Sequence, residues 1–126
     1  MTPLQIAKKA LQAYVDRDRD AIESVIAEDY RFTSPLDNGL DRSTYFSRCW
    51  PNSERMEDMK FVEGAESGDT AWIVYEATSS KKRFRNAEMH KTRDGKLVAT
   101  EVYFGWDLPH KVPHGKHIEN EGQGHP

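Results

Sequence analysis

The sequence predicts an α+β fold: three N-terminal helices packed on a strongly bent, mostly antiparallel sheet. Three observations predict it. Early in the chain apolar residues recur at helical spacing, as in Leu4, Ala7, Leu11 and Tyr14. From residue 57 the pattern changes to runs rich in β-branched and aromatic residues. Residues 83–107 read as a long β-hairpin around Arg93-Asp94-Gly95, a short Asp-Gly turn of the kind that joins antiparallel strands. Helices first and an antiparallel meander last, in the order ααβαββββ, define an α+β architecture.

The first helix is expected over residues 3–16, with Pro3 at its first turn and Lys8, Lys9 and Gln12 off the apolar stripe. Asp18 or Asp20 caps a second helix whose buried stripe is Ile22, Val25 and Ile26. The link between the two is short, so they pack as neighbours. Tyr30–Ser34 forms a short strand stopped by Pro35, and residues 36–39 form a turn. Asp41 caps a third helix over residues 42–50, with Tyr45, Phe46, Cys49 and Trp50 as its apolar side and Pro51 just past its end. Strands follow at Met59–Glu63 and Ala71–Thr78, joined by a turn at Gly68-Asp69. The Ser79–Lys82 loop leads into the hairpin.

The turn decides which hairpin residues share a face, because strand side chains alternate. A two-residue Asp94-Gly95 loop sets Glu88 opposite Glu101 and His90 opposite Ala99. A three-residue loop with Gly95 left-handed sets Glu88 opposite Thr100, His90 opposite Val98 and Phe84 opposite Phe104. The second is preferred, since it gathers Val98, Val102, Phe104 and Trp106 on one face and keeps two carboxylates from facing each other. In that register Phe84, Asn86, Glu88, His90 and Thr92 point inward, and Arg83, Arg85, Lys91 and Arg93 meet water.

A chain of 126 residues is expected to form one domain, with residues 1–107 folded and 108–126 a polar, partly disordered tail. Four of the five histidines lie in that tail (His110, His114, His117 and His125), at a spacing that matches no compact metal-ligand pattern. A net charge of −3 removes any general attraction for nucleic acid. The lone Cys49 excludes an internal disulfide and suits a reducing compartment. No apolar run approaches the ~20 residues that cross a membrane, and the N-terminus lacks a signal-like apolar core. The expected location is cytoplasmic.

Three stretches, together with the element order, carry a resemblance. They are Asp18–Phe32 (DRDAIESVIAEDYRF), Gly68–Thr78 and Thr92–Trp106 (TRDGKLVATEVYFGW). Across residues 1–107 the chain is similar to the NTF2-like superfamily and, within it, to the SnoaL-like group. That group and its relatives include ketosteroid isomerase, polyketide cyclases, epoxide hydrolases and non-catalytic transport factors, so the fold alone does not select a function. The resemblance implies a cone in which helices close the concave side of the sheet over a deep pocket. It places Glu88 where the isomerases keep a protonated oxyanion-hole acid and the cyclases a histidine. The isomerase base would fall at Ser34, its tyrosine donor at Ala10 rather than Tyr14, and the cyclase aspartate at Val102. It also turns Trp72, Val74 and Glu76 toward the interior.

Glu88 and His90 are therefore the candidate catalytic pair: an inward carboxylate is costly unless paired or protonated, and an imidazole two residues away shares its face. Glu76, Trp50, Trp72, Phe61, Thr100, Val102 and Phe104 are the candidate ligand contacts. Asp37 and Arg42 read as turn and helix-start residues near the pocket mouth, and Cys49 as core. No metal and no cofactor is expected. The expected ligand is a small apolar or aromatic molecule, handled by cofactor-free acid–base chemistry of isomerase, cyclase or hydrolase type. The alternative is a non-catalytic ligand-binding, dimerisation or protein-interaction module. A homodimer is expected through the outer sheet face, assigned Ile73, Tyr75, Ala77, Ala87, Met89 and Tyr103, with neither nucleic acid nor membrane as partner.

Overall fold

The structure, a computed structural model, describes residues 1–105. The expectations for Trp106 and for the tail at 108–126, with its four histidines, lie outside the described residues. Helix α1 (Pro3–Asp16) starts on a reciprocal cap. The Gln5 amide N–H donates to the Thr2 hydroxyl at 3.2 Å, and the Thr2 N–H donates to the Gln5 side-chain carbonyl at 2.8 Å. Helix α2 (Arg19–Val25) is capped by Asp18, which accepts from the Ala21 N–H at 3.1 Å. Ile26 does not extend α2 as expected. It opens strand β1 (Ile26–Ser34), where its extended backbone pairs with Leu97.

Strand β2 (Asp37–Asp41) replaces the expected turn at 36–39 and lies antiparallel to β1. The reversal falls at Pro35-Leu36, and Gly39 (φ 62°) supplies the left-handed step inside β2. Asp41 caps α3 (Arg42–Arg48) by accepting from the Thr44 N–H at 2.8 Å. That helix stops before residue 50, and a 3₁₀ turn (Trp50–Arg55) takes Pro51 into its first turn. Hydrogen bonds from Thr44 hold the Asp41 carboxyl below its ordinary pKa. The cap thus stabilises the fold above the unfolded-state pKa and is lost as pH falls through the folded-state value. Asp41→Ala should lower the melting temperature near neutral pH, and the gap to the native chain should close on acidification. A gap unchanged by pH would show that the ionised cap is not its source.

Strands β3 (Met56–Ser67), β4 (Thr70–Ser79), β5 (Lys82–Arg93) and β6 (Lys96–Phe104) form the meander, and β3 and β4 run past the expected Met59–Glu63 and Ala71–Thr78 at both ends. The six strands form one curved, unclosed sheet in the order β2-β1-β6-β5-β4-β3. Among the described residues only the β1–β6 pairing is parallel. Bulges interrupt β1, β3 and β6, and each adds local twist and bend.

Two expectations about facing are corrected. The β5–β6 hairpin closes on a two-residue loop, with Arg93 opposite Lys96 and both Asp94 (φ 52°) and Gly95 (φ 79°) left-handed. The bulge sits one step further along, at Val98. Leu97 becomes the core residue, while Val98 is only half-buried. Thr100 consequently faces His90, Val102 faces Glu88 and Phe104 faces Asn86, a shift of two residues from the preferred register. A two-residue shift preserves the face, so Glu88, His90, Thr100 and Val102 still point inward, and Glu101 and Tyr103 point out. The second correction is β4. Ala71, Ile73, Tyr75 and Ala77 are buried, and Trp72, Val74 and Glu76 lie on the outer face, the reverse of the expected order. Outside, Glu76 meets Arg83 at 3.4 Å and Arg85 at 3.7 Å, partners that an inward carboxylate would lose.

Helix α1 spans the concave side and contributes to two apolar clusters. Ile6, Ala10 and Ala13 pack with Ile22, Tyr30, Phe46 and Leu97. Ala7 and Leu11 pack with Ile73, Tyr75, Ala77 and Phe84. Between the helices and the inner sheet face lies a cavity.

Candidate functional site

The cavity measures about 390 Å³, inside the range of roughly 300–1,000 Å³ typical of small-molecule sites. Its inner wall follows from strand alternation. Asn86, Glu88 and His90 take successive inward positions on β5, flanked by Tyr75 from β4 and by Thr100, Val102 and Phe104 from β6. Ala10, Leu11 and Tyr14 of α1 close over them, while Leu36, Arg48, Asn52 and Arg55, all exposed, mark the mouth.

Glu88 and His90 are 6% and 2% exposed, so their polar atoms depend on each other and on the cavity. The Tyr75 hydroxyl donates to Glu88 Oε2 at 2.7 Å and lies 3.4 Å from the Asn86 amide nitrogen, which donates to it. His90 Nδ1 lies 3.0 Å from Thr100 Oγ1, and Thr100 is in turn hydrogen-bonded to Tyr30. His90 Nε2 lies 3.0 Å from Glu88 Oε1. This is a close approach and not a hydrogen bond, and among the described residues Nε2 keeps no hydrogen-bond partner. Asn86 Oδ1 is likewise buried and unpartnered. A buried polar atom without a partner is uncommon and costly; two in the wall of one cavity leave that wall unsatisfied toward a ligand.

The phenols around the pair stay protonated. Burial pushes Tyr75 far up, helped by the charge and hydrogen bond of Glu88. Burial likewise raises Tyr14, Tyr30 and Tyr45. Tyr75 is thus a fixed neutral donor to Glu88. Cys49 also reaches the cavity, but burial, with the charge of Asp37, pushes its thiol up to about 12, so at neutral pH it is no nucleophile.

Among the residues expected at the site, Glu88, His90, Thr100, Val102 and Phe104 share the cavity wall. Four do not reach it. Trp72 is 43% exposed on the outer face beside Glu76. Trp50 lies in the 3₁₀ turn, edge-on to Tyr14 at 5.7 Å between ring centroids. Phe61 packs against the second cluster beneath the Lys8 ammonium. Ala10 and Ser34, the positions of the isomerase donor and base, do line the cavity, but neither side chain supplies a phenol or carboxylate there. Asp37 is more than a turn residue: it lines the mouth and pairs with Arg48 at 3.2 Å. Tyr75 is the residue that sequence reasoning misplaced. The signal was present, since Ala71, Ile73, Tyr75 and Ala77 make the more apolar face of their strand. Among the described residues no group of three or more His, Cys, Asp or Glu side chains is placed to hold a metal ion.

A bent, unclosed six-stranded sheet with three helices against it is the NTF2-like fold. Solved structures similar to the chain bear this out. An NTF2-like protein of unknown function from Cytophaga hutchinsonii superposes with a TM-score of 0.67 at 18% identity, over 83% of this chain and 91% of that one. A protein from Kribbella flavida, provisionally described as a ketosteroid isomerase, gives 0.69 at 15% identity, over 92% and 85%. IdmH from Streptomyces antibioticus, provisionally described as a polyketide cyclase, gives 0.66 at 18% identity, over 81% and 91%. Identities this low speak for the fold alone. No protein-family model and no curated protein matches the chain.

Proposed function

We propose that this is a small-molecule pocket protein of the SnoaL-like type, in which Glu88 and His90 exchange protons with a bound ligand without a cofactor. The observation that carries the reading is the buried, unpartnered His90 Nε2 beside Glu88 Oε1 in the cavity wall. A purely structural cluster would satisfy its buried polar atoms internally. Here Thr100 orients the ring through Nδ1 and Tyr75 orients the carboxylate through Oε2. Such second partners hold a base in place for proton transfer. A ligand C–H or O–H proton passes to the pair, and neutral Tyr75 stabilises the carboxylate that results whenever Glu88 gives up its own proton. Deuterium incorporation from heavy water into a panel of cyclic and aromatic ketones, read by mass spectrometry, tests this. Incorporation at an α-carbon that disappears in Glu88→Gln supports proton exchange. Binding without exchange across the panel favours the non-catalytic reading.

The second part of the proposal is a homodimer through the outer sheet face. Trp72 and Tyr103 (43% and 53% exposed) sit there with Val74, Ala87 and Met89 on adjoining strands. Large aromatics in one patch are the usual anchors of an interface. Sedimentation at tens of micromolar, a range suited to ordinary affinities, should show a dimer, and Tyr103→Glu with Trp72→Lys a monomer. A native chain that sediments as a monomer would overturn the dimer and leave the pocket reading untouched.

A further inference from the structure

We infer that the pocket takes an elongated ligand with a carboxylate at one end and a hydroxyl at the other, the carboxylate held at the mouth by Arg55 and the hydroxyl meeting Asn86 at the floor. This rests on the reading of the cavity as a small-molecule site and adds the ligand's chemistry and orientation.

Among the described residues lining the cavity, the arginines are Arg48 and Arg55. Arg48 is engaged by Asp37 at 3.2 Å. Arg55, at the end of the 3₁₀ turn, makes no side-chain hydrogen bond or ion pair among the described residues, yet it sits near enough to Tyr14 to favour the charged form of that phenol. A guanidinium free at the rim of an apolar cavity is the group that binds a carboxylate bidentately. At the floor the sign reverses. Glu88 would repel a carboxylate, and Asn86 Oδ1, 5% exposed and unpartnered, asks for a donor. The orientation of the Asn86 amide is fixed by its neighbours. The Tyr75 hydroxyl donates its hydrogen bond to Glu88, so its oxygen is left to accept from the Asn86 nitrogen, and Oδ1 is the atom that remains. The rest of the lining includes the apolar side chains of Leu11, Ile22, Phe84, Leu97 and Val102, which suit a flat hydrocarbon body. The ligand enters hydroxyl first, and its carboxylate stops at the rim.

Three probes separate these claims: para-hydroxycinnamate, its neutral amide, and cinnamate without the hydroxyl, each titrated by calorimetry against the native chain and Arg55→Gln. Arg55 is exposed, so its replacement leaves the core intact. The acid should bind the native chain about tenfold more tightly than the amide, a ratio equal to ~1.4 kcal/mol. The ratio should collapse in Arg55→Gln and shrink as salt rises, because the rim is solvated. Cinnamate should bind more weakly than its hydroxylated analogue. Equal binding of acid and amide, or a preference that survives Arg55→Gln, overturns the inference while leaving the pocket reading in place. Failure of all three probes to bind overturns both.

Discussion

In urea, Leu97→Ala should unfold with about 2–5 kcal/mol less stability than the native chain, while its neighbour Val98→Ala stays within about 1 kcal/mol. The contrast follows from the β6 bulge. Leu97 is 1% exposed and belongs to the cluster of Ile6, Ile22, Ile26 and Tyr30. It faces Ile26 across the parallel seam where β1 meets β6. Truncating it removes apolar burial and opens space that the neighbouring β-branched side chains cannot fill. Leu97 also lines the ligand cavity, so the lost volume merges with an existing void. Val98 is the extra residue of the bulge, half-buried and without a cross-strand partner on β5. The opposite order of the two variants would mean that the register preferred from sequence, with Val98 inward, was right after all.

That register shows where legibility stops. Local signals were read correctly because a few neighbouring atoms satisfy them. Pro3 starts a helix, Asp18 and Asp41 cap theirs, and Asp94-Gly95 turns a hairpin. Strand β2 was missed because Asp37-Asn38-Gly39 has turn composition; it is extended because β1 offers it a ladder, a tertiary cause that composition does not carry. Ile26 was placed in α2 for the same reason, its strand pairing with Leu97 lying 71 residues away in the chain. The face of β4 was lost differently. The family likeness puts Trp72 and Glu76 inside and Ile73 and Tyr75 outside; burial instead follows the strand's more apolar face, Ala71, Ile73, Tyr75 and Ala77. The site survived both errors, since the face of Glu88 and His90 depends on parity within β5, and a two-residue slip of the partner strand does not change parity.

Glu88→Gln should separate chemistry from stability. The substituted amide keeps the shape of the side chain. Its oxygen still accepts from the Tyr75 hydroxyl, which lies 2.7 Å from Glu88 Oε2, and its nitrogen takes the place of Oε1, 3.0 Å from His90 Nε2, as a neutral donor. No buried atom loses a partner, so denaturation should move by no more than about 1 kcal/mol. Proton exchange is different, because an amide neither takes nor returns a proton near neutral pH, and loss of a positioned acid–base group costs about 10²–10⁴-fold in rate. Glu88→Ala is the contrasting variant. It leaves the Tyr75 hydroxyl proton without its acceptor in a site where that residue is nearly buried, and an unsatisfied buried donor costs about 1–3 kcal/mol. Urea curves for the two variants, read beside deuterium incorporation, therefore give a pattern that a structural cluster does not reproduce: native-like stability without exchange in Glu88→Gln, and lowered stability in Glu88→Ala. If Glu88→Gln keeps the native exchange rate, Glu88 is no proton carrier, and the carboxylate serves only to hold Tyr75 and His90 in place.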